Sequence, residues 1–81
     1  MLDDLKSHNK YVGLKQSVRA IEQNKAKKAY VANDCAPDIY NSLVGKCTSA
    51  GVPVEYVDTM SELGKACGID VGAAVVVLLN D

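Results

Sequence analysis

The chain has 81 residues, enough for a single domain spanning residues 1–81. At that length folding buries only about 60% of the surface of the unfolded chain, so the core must be economical. An apolar fraction of 48%, with four Tyr and neither Trp nor Phe, excludes disorder and suits a compact α/β unit, while the net charge of -1 speaks on average against a nucleic-acid partner.

In chain order, Leu2 and Leu5 suggest a short amphipathic N-terminal helix, and Tyr11 and Val12 a brief strand before Gly13. Leu14, Val18 and Ile21 recur at intervals of four and three, one face of a helix running to about Asn24. Lys28 to Ala32 has the content of a strand and ends at the turn-prone Asn33 and Asp34. Pro37 suits a first helical turn, and Ile39, Tyr40, Leu43, Val44 and Cys47 form a broad apolar stripe that stops at Gly51. Val52 to Val57 follows as a strand with Pro53 near its start. Thr59 and Glu62 match a capping box, predicting a short helix from about Met60 to Cys67 that stops at Gly68. The run AAVVVLL, from Ala73 to Leu79, is apolar on both pleat faces, as in a strand covered on both sides. Alternating helices and strands around such a strand predict an α/β/α sandwich.

That apolar run is the longest in the chain and falls well short of the roughly 20 residues that a bilayer crossing needs. The N-terminus MLDDLKSHNK also lacks the apolar stretch of a secretory signal. The expectation is a cytoplasmic protein with no membrane partner, and nothing suggests more than a monomer. Cys35, Cys47 and Cys67 have no C-x-x-C spacing or histidine pairing, so they read as buried free thiols.

Catalysis has little to work with. His8 is the only histidine and lies in the terminal segment, and Asp34, Asp38, Asp58 and Glu62 sit at helix starts and turns, where capping accounts for them. No phosphate-binding glycine loop occurs, and the spacing Gly64, Gly68, Gly72 reads as a helix end followed by a tight turn. No catalytic residue, cofactor or metal is expected, and the protein is not read as an enzyme.

The charge is unevenly spread. Lys6 to Lys28 holds seven basic residues against one acid, Glu22, while the remainder holds two basic residues against nine acids. A local patch, rather than the mean, is what an anionic ligand meets. The helix opening at Gly13 and Leu14 offers no Ser, Thr, Asp or Asn to cap its free N–H groups, and Lys15, Gln16 and Arg19 stand beside it. Free amides, a positive dipole end and basic side chains make a natural anion site, and Lys can also hydrogen-bond guanine edges.

The segments GLKQSVRAI, VANDCAP and ELGKACGIDVGAAVVV, in that order and spacing, resemble the kink-turn RNA-binding ribosomal-protein family. Its members are the large-subunit "seven-Ae" and "thirty-e" proteins and their small bacterial relatives, and the likeness spans roughly residues 5 to 80. The resemblance implies a three-layer α/β/α sandwich around a four-stranded mixed sheet. It also implies a site: the helix-start segment, here Gly13, Leu14, Lys15 and Gln16, reads the tandem G·A pairs of a kink-turn. A basic residue one turn later, here Arg19, then meets phosphates, and the loop Ile69, Asp70, Val71, Gly72 shelters the protruding base on its apolar side chains. Lys28, outside the matched segment, is read as a further phosphate contact. Against that, Ile69 and Val71 could simply begin the buried strand.

The implied partner is a structured RNA containing a kink-turn, in ribosomal RNA or a riboswitch, with ribosome association compatible with either. This chain departs from many family members in carrying Lys15-Gln16 where they carry Asn-Glu, and Ser61 and Glu62 where basic residues are frequent. The first departure bears on how the two guanines are read, while Ser61, Glu62 and the acidic pI favour the alternative, a protein-interaction module with the same fold and weakened RNA binding.

Overall fold

The computed structural model describes residues 9–80, so the expected helix around Leu2 and Leu5, and His8, lie outside the described residues. Within these residues four strands and three helices follow one another as β1 (Lys10–Val12), α1 (Leu14–Glu22), β2 (Ala26–Ala32), α2 (Pro37–Ala50), β3 (Val54–Val57), α3 (Met60–Ala66) and β4 (Val75–Leu79). The strands form one mixed sheet in the order β1-β4-β2-β3. β4 is antiparallel to both of its neighbours, and β2 and β3 run parallel.

The doubly apolar run is the reason β4 is central. Val75 and Val77 join Ala20, Ile21, Ala29, Val31, Leu43 and Cys47 under α1 and α2, whereas Val76 and Leu78 join Tyr30, Ala32, Val57, Leu63 and Cys67 under α3. Strand alternation therefore feeds two cores at once, and each fully buried Val or Leu contributes about 1.5–3 kcal/mol. The result is the expected three-layer sandwich.

Several boundaries differ from the sequence reading for local reasons. α1 ends at Glu22 rather than near Asn24, because Asn24 takes a left-handed conformation (φ 59°) that asparagine tolerates. β2 begins at Ala26, two residues early, since a bulge between Ala26 and Lys28 lets pairing with β4 continue past an exposed lysine. β3 begins at Val54, after Pro53, whose carbonyl still accepts from the Ala29 N–H (2.9 Å) although it has no N–H of its own to offer. β4 begins at Val75: the Ala73 N–H is donated to the Met60 carbonyl (3.0 Å), and the Ala74 carbonyl accepts from Ala32 (2.9 Å).

All three cysteines are free and buried. Burial pushes each thiol up from its ordinary value, with Lys10 opposing this at Cys67 and backbone hydrogen bonds opposing it at Cys35. They are small core residues, as the sequence suggested.

Candidate functional site

The strand directions determine where the site can be. Because β1, β2 and β3 point the same way and β4 runs against them, the C-terminal ends of the first three and the N-terminal end of β4 share one end of the sheet. Each of the three helices begins just after one of those C-terminal ends, so three positive dipole ends face the same side. An anion arriving there meets this field despite the overall charge of -1.

The three starts are built differently. At α3 the Thr59 Oγ1 accepts from the Glu62 N–H (3.1 Å), and the Asp34 carboxylate reaches across from the β2–α2 turn to accept from the Met60 N–H (2.8 Å). α2 begins with Pro37, which has no N–H to satisfy, and carries Asp38 in its first turn. α1 has no side-chain cap and no acid in its first turn.

At α1, Gly13 donates its own N–H to the Val75 carbonyl (2.9 Å) and accepts from Ser17 (3.1 Å). Among the described residues, the Leu14, Lys15 and Gln16 N–H groups have no acceptor. Gly13 lies at φ 108° and ψ 154°, a region essentially closed to residues with a Cβ. The strand therefore turns straight into the helix, and nothing lies within 4 Å of where a Gly13 side chain would begin. Leu14 is half-buried against the α1/α2 core and anchors the turn, while Lys15, Gln16 and Arg19 are exposed. Tyr11, Gln16 and Arg19 line a hollow of about 150 Å³. Ser17 is fully buried, and its hydroxyl has no hydrogen-bond partner among the described residues.

The loop from Ile69 to Gly72 lies at the same end, because it leads into Val75, the residue bonded to Gly13. Neither Ile69 nor Val71 belongs to β4, so the reading in which both begin the buried strand is excluded. They also do different things. Ile69 is half-buried and packs on the core under α3, whereas Val71 is 69% exposed, the most exposed of the large apolar residues described. Asp70 and Gly72 are exposed beside it.

Lys28 stands apart from the other candidate residues. It shares a cross-strand row with Leu78 and Lys10, near the far end of β4 from Val75, and its Nζ is bound to Glu55 Oε1 (2.8 Å) and lies 5.2 Å from the Tyr30 ring centre. The hydrogen bond to Glu55, opposed by partial burial, raises the Lys28 pKa. Its charge is therefore matched within the protein and stands apart from Gly13 to Arg19. Ser61 and Glu62 lie exposed on α3 and add no positive charge.

One feature of this end escaped the sequence reading. Asn33, Cys35, Pro37, Tyr40 and Asn41 line a hollow of about 320 Å³ between the β2–α2 turn and the start of α2. The Tyr40 ring stacks on Tyr56 with centres 5.9 Å apart. Burial, then the bond to Tyr56, raises the Tyr40 pKa. Pro37 and the Asn33-Asp34 turn were legible as chain punctuation, but the stacking of Tyr40 on a β3 tyrosine depends on the parallel β2–β3 pairing.

Comparison with known proteins adds context to this geometry. The sequence profile of the ribosomal protein L7Ae/L30e/S12e/Gadd45 family matches residues 1–81. An RNA-binding protein of Halalkalibacterium halodurans is 43% identical over 67 residues, covering 83% of this chain and 82% of that protein. One from Geobacillus sp. (strain WCH70) is 46% identical over 69 residues, covering 85% and 84%. Among solved structures, the Giardia lamblia 15.5kD RNA binding protein superposes with a TM-score of 0.88 at 23% identity, over 99% of this chain and 68% of that one, a likeness of fold.

Proposed function

The chain belongs to the ribosomal protein L7Ae/L30e/S12e/Gadd45 family, and on that premise we propose that it is a non-enzymatic RNA-binding protein that holds a kink-turn in its bent form. Relatives above 40% identity that are named RNA-binding proteins support the general statement. The observation that carries the particular one is the uncapped start of α1, with three unpaired amides behind Gly13 and exposed Lys15, Gln16 and Arg19 around them.

In this reading Lys15 and Gln16 enter the groove and bond the guanine edges of the G·A pairs. Arg19, one turn on, meets a phosphate. The free amides of Leu14 to Gln16 complete their hydrogen bonds on the RNA, and Gly13 leaves the backbone bare for its approach. Val71 covers the base that protrudes from the bulge, and the Tyr40 hollow gives that end of the molecule further room for a ring. The protein acts as a monomer in the cytoplasm, on ribosomal RNA or a riboswitch.

The test is a calorimetric titration against a kink-turn RNA and against the same RNA with its G·A pairs replaced by Watson–Crick pairs. Binding to the first at least about tenfold tighter is expected, since each well-placed base contact is worth about 1–3 kcal/mol. Equal affinity for the two would discard base reading in favour of the protein-interaction alternative, which the acidic Asp34, Asp58 and Glu62 at this end of the sheet would suit.

A further inference from the structure

The spacing Gly64, Gly68, Gly72 looked like a helix end followed by a turn, and the structure makes something else of its first member. Gly64 lies inside α3, two residues before its last residue, where glycine is a poor helix former. It is buried, and a Cβ built on it would overlap the Val71 carbonyl oxygen and come within 3.0 Å of the Val71 carbonyl carbon and 3.1 Å of the Gly72 Cα. The Gly64 carbonyl accepts from the Ile69 N–H (3.1 Å). One turn earlier, Met60 accepts from the Ala73 N–H (3.0 Å), and a Cβ on Gly72 would meet Met60 at 3.1 Å.

The loop thus docks backbone to backbone on α3, hydrogen-bonded at both of its ends. The loop occupies the space that the missing side chains of Gly64 and Gly72 leave. Gly68, left-handed at φ 79°, turns the chain back from the helix into that space.

We propose that Gly64, with Gly72, is a positioning residue for RNA recognition. The two set the height of the Val71 edge above the sheet end, and so decide whether the loop can cover a protruding base. This rests on the kink-turn reading and assigns to the buried Gly64 a role within it that needs no contact with RNA. Gly45 provides the contrast: it is also inside a helix, but it is exposed, with nothing within 4 Å of its Cβ position.

The experiment titrates the full chain and its Gly64→Ala, Gly72→Ala and Gly45→Ala variants against a kink-turn RNA and the same RNA made abasic at the protruding nucleotide. Circular dichroism and a thermal melt report folding of each variant. Wild type is expected to lose about tenfold in affinity when the base is removed, the usual scale for one stacked base. Gly64→Ala should fold, bind both RNAs alike, and do so near the wild-type affinity for the abasic RNA. Gly72→Ala should fall between, since Met60 has only a few tenths of an ångström to yield, and Gly45→Ala should match wild type.

A Gly64→Ala protein that discriminates the base as wild type does would overturn the proposal. If Gly64→Ala does not fold, Gly72→Ala decides, and full discrimination by it overturns the proposal equally. A wild-type protein indifferent to the base removes base covering by the loop, and the glycine role with it. G·A preference, measured separately, reports whether the wider kink-turn reading survives.

Discussion

Two helix starts at one end of this sheet are finished in opposite ways. α3, only seven residues long, has its first amides taken up by Thr59 and by Asp34 from 26 positions earlier in the chain. α1, nine residues long, leaves three amides open behind a glycine and lines its rim with Lys15, Gln16 and Arg19. Where the protein closes a helix end, that end carries load, here the docked loop from Ile69 to Gly72. Where it leaves an end open next to cationic and amide side chains, as at α1, the proposed RNA contact would complete it.

The largest way to break that contrast is at the open end. Lys15→Ala should cost about 1–3 kcal/mol of binding to a kink-turn RNA and erase the preference for G·A pairs, leaving thermal stability unchanged. A loss of equal size on a plain duplex would reduce Lys15 to a phosphate contact.

The closed end should respond in the reverse sense. Asp34→Ala removes the acceptor for the Met60 amide, and loss of such a cap costs about 0.5–2 kcal/mol of stability, readable as a lower urea midpoint. RNA affinity should fall only as far as the loop resting on Met60 loosens. An unchanged midpoint would mean that solvent serves that amide as well as Asp34 does.

Ser17 lies one turn inside the open helix. Its hydroxyl is buried without a partner among the described residues, so Ser17→Ala should raise stability by about 1 kcal/mol, the scale of relieving one unsatisfied group. A destabilised variant in the same urea titration would argue for a partner to that hydroxyl.

The smallest effect is expected at Lys28. Its pair with Glu55 is about a third exposed, so Lys28→Ala should change stability by less than about 1 kcal/mol and leave RNA affinity as it was. The raised Lys28 pKa gives this contribution a sign: it is complete below the ordinary lysine value and fades as pH climbs through the raised one. A weakened RNA complex in Lys28→Ala would return Lys28 to the phosphate contacts.

The architecture was legible in the sequence because its signals were local and strong. The Leu14-Val18-Ile21 spacing, the α2 stripe ending at Gly51, the Thr59 cap and the AAVVVLL run each predicted an element that exists. The boundaries that moved did so where a neighbouring strand or a single backbone conformation decided, as at the Ala26 bulge and at Asn24. In the candidate site, the missing cap at Gly13 was visible because it is an absence within four residues.

What was not legible depended on pairs far apart in the chain. Asp34 reads as a turn residue until α3 is set against it, and Lys28 reads as a free cation until Glu55 arrives from the neighbouring strand. Ile69 and Val71 look alike two residues apart, and only the docking of the loop on α3 sends one into the core and leaves the other bare. Gly64 carries no local sign at all, since its reason is a carbonyl seven residues later.

The contrast between the open and closed ends can be measured amide by amide. Hydrogen exchange at Leu14, Lys15 and Gln16 should be fast in the free protein, while Met60 and Glu62 are already slowed by their caps. On binding the kink-turn RNA, the three α1 amides should become protected while Met60 and Glu62 change little. Fast exchange persisting at Leu14, Lys15 and Gln16 in the saturated complex would contradict completion of that helix end by RNA.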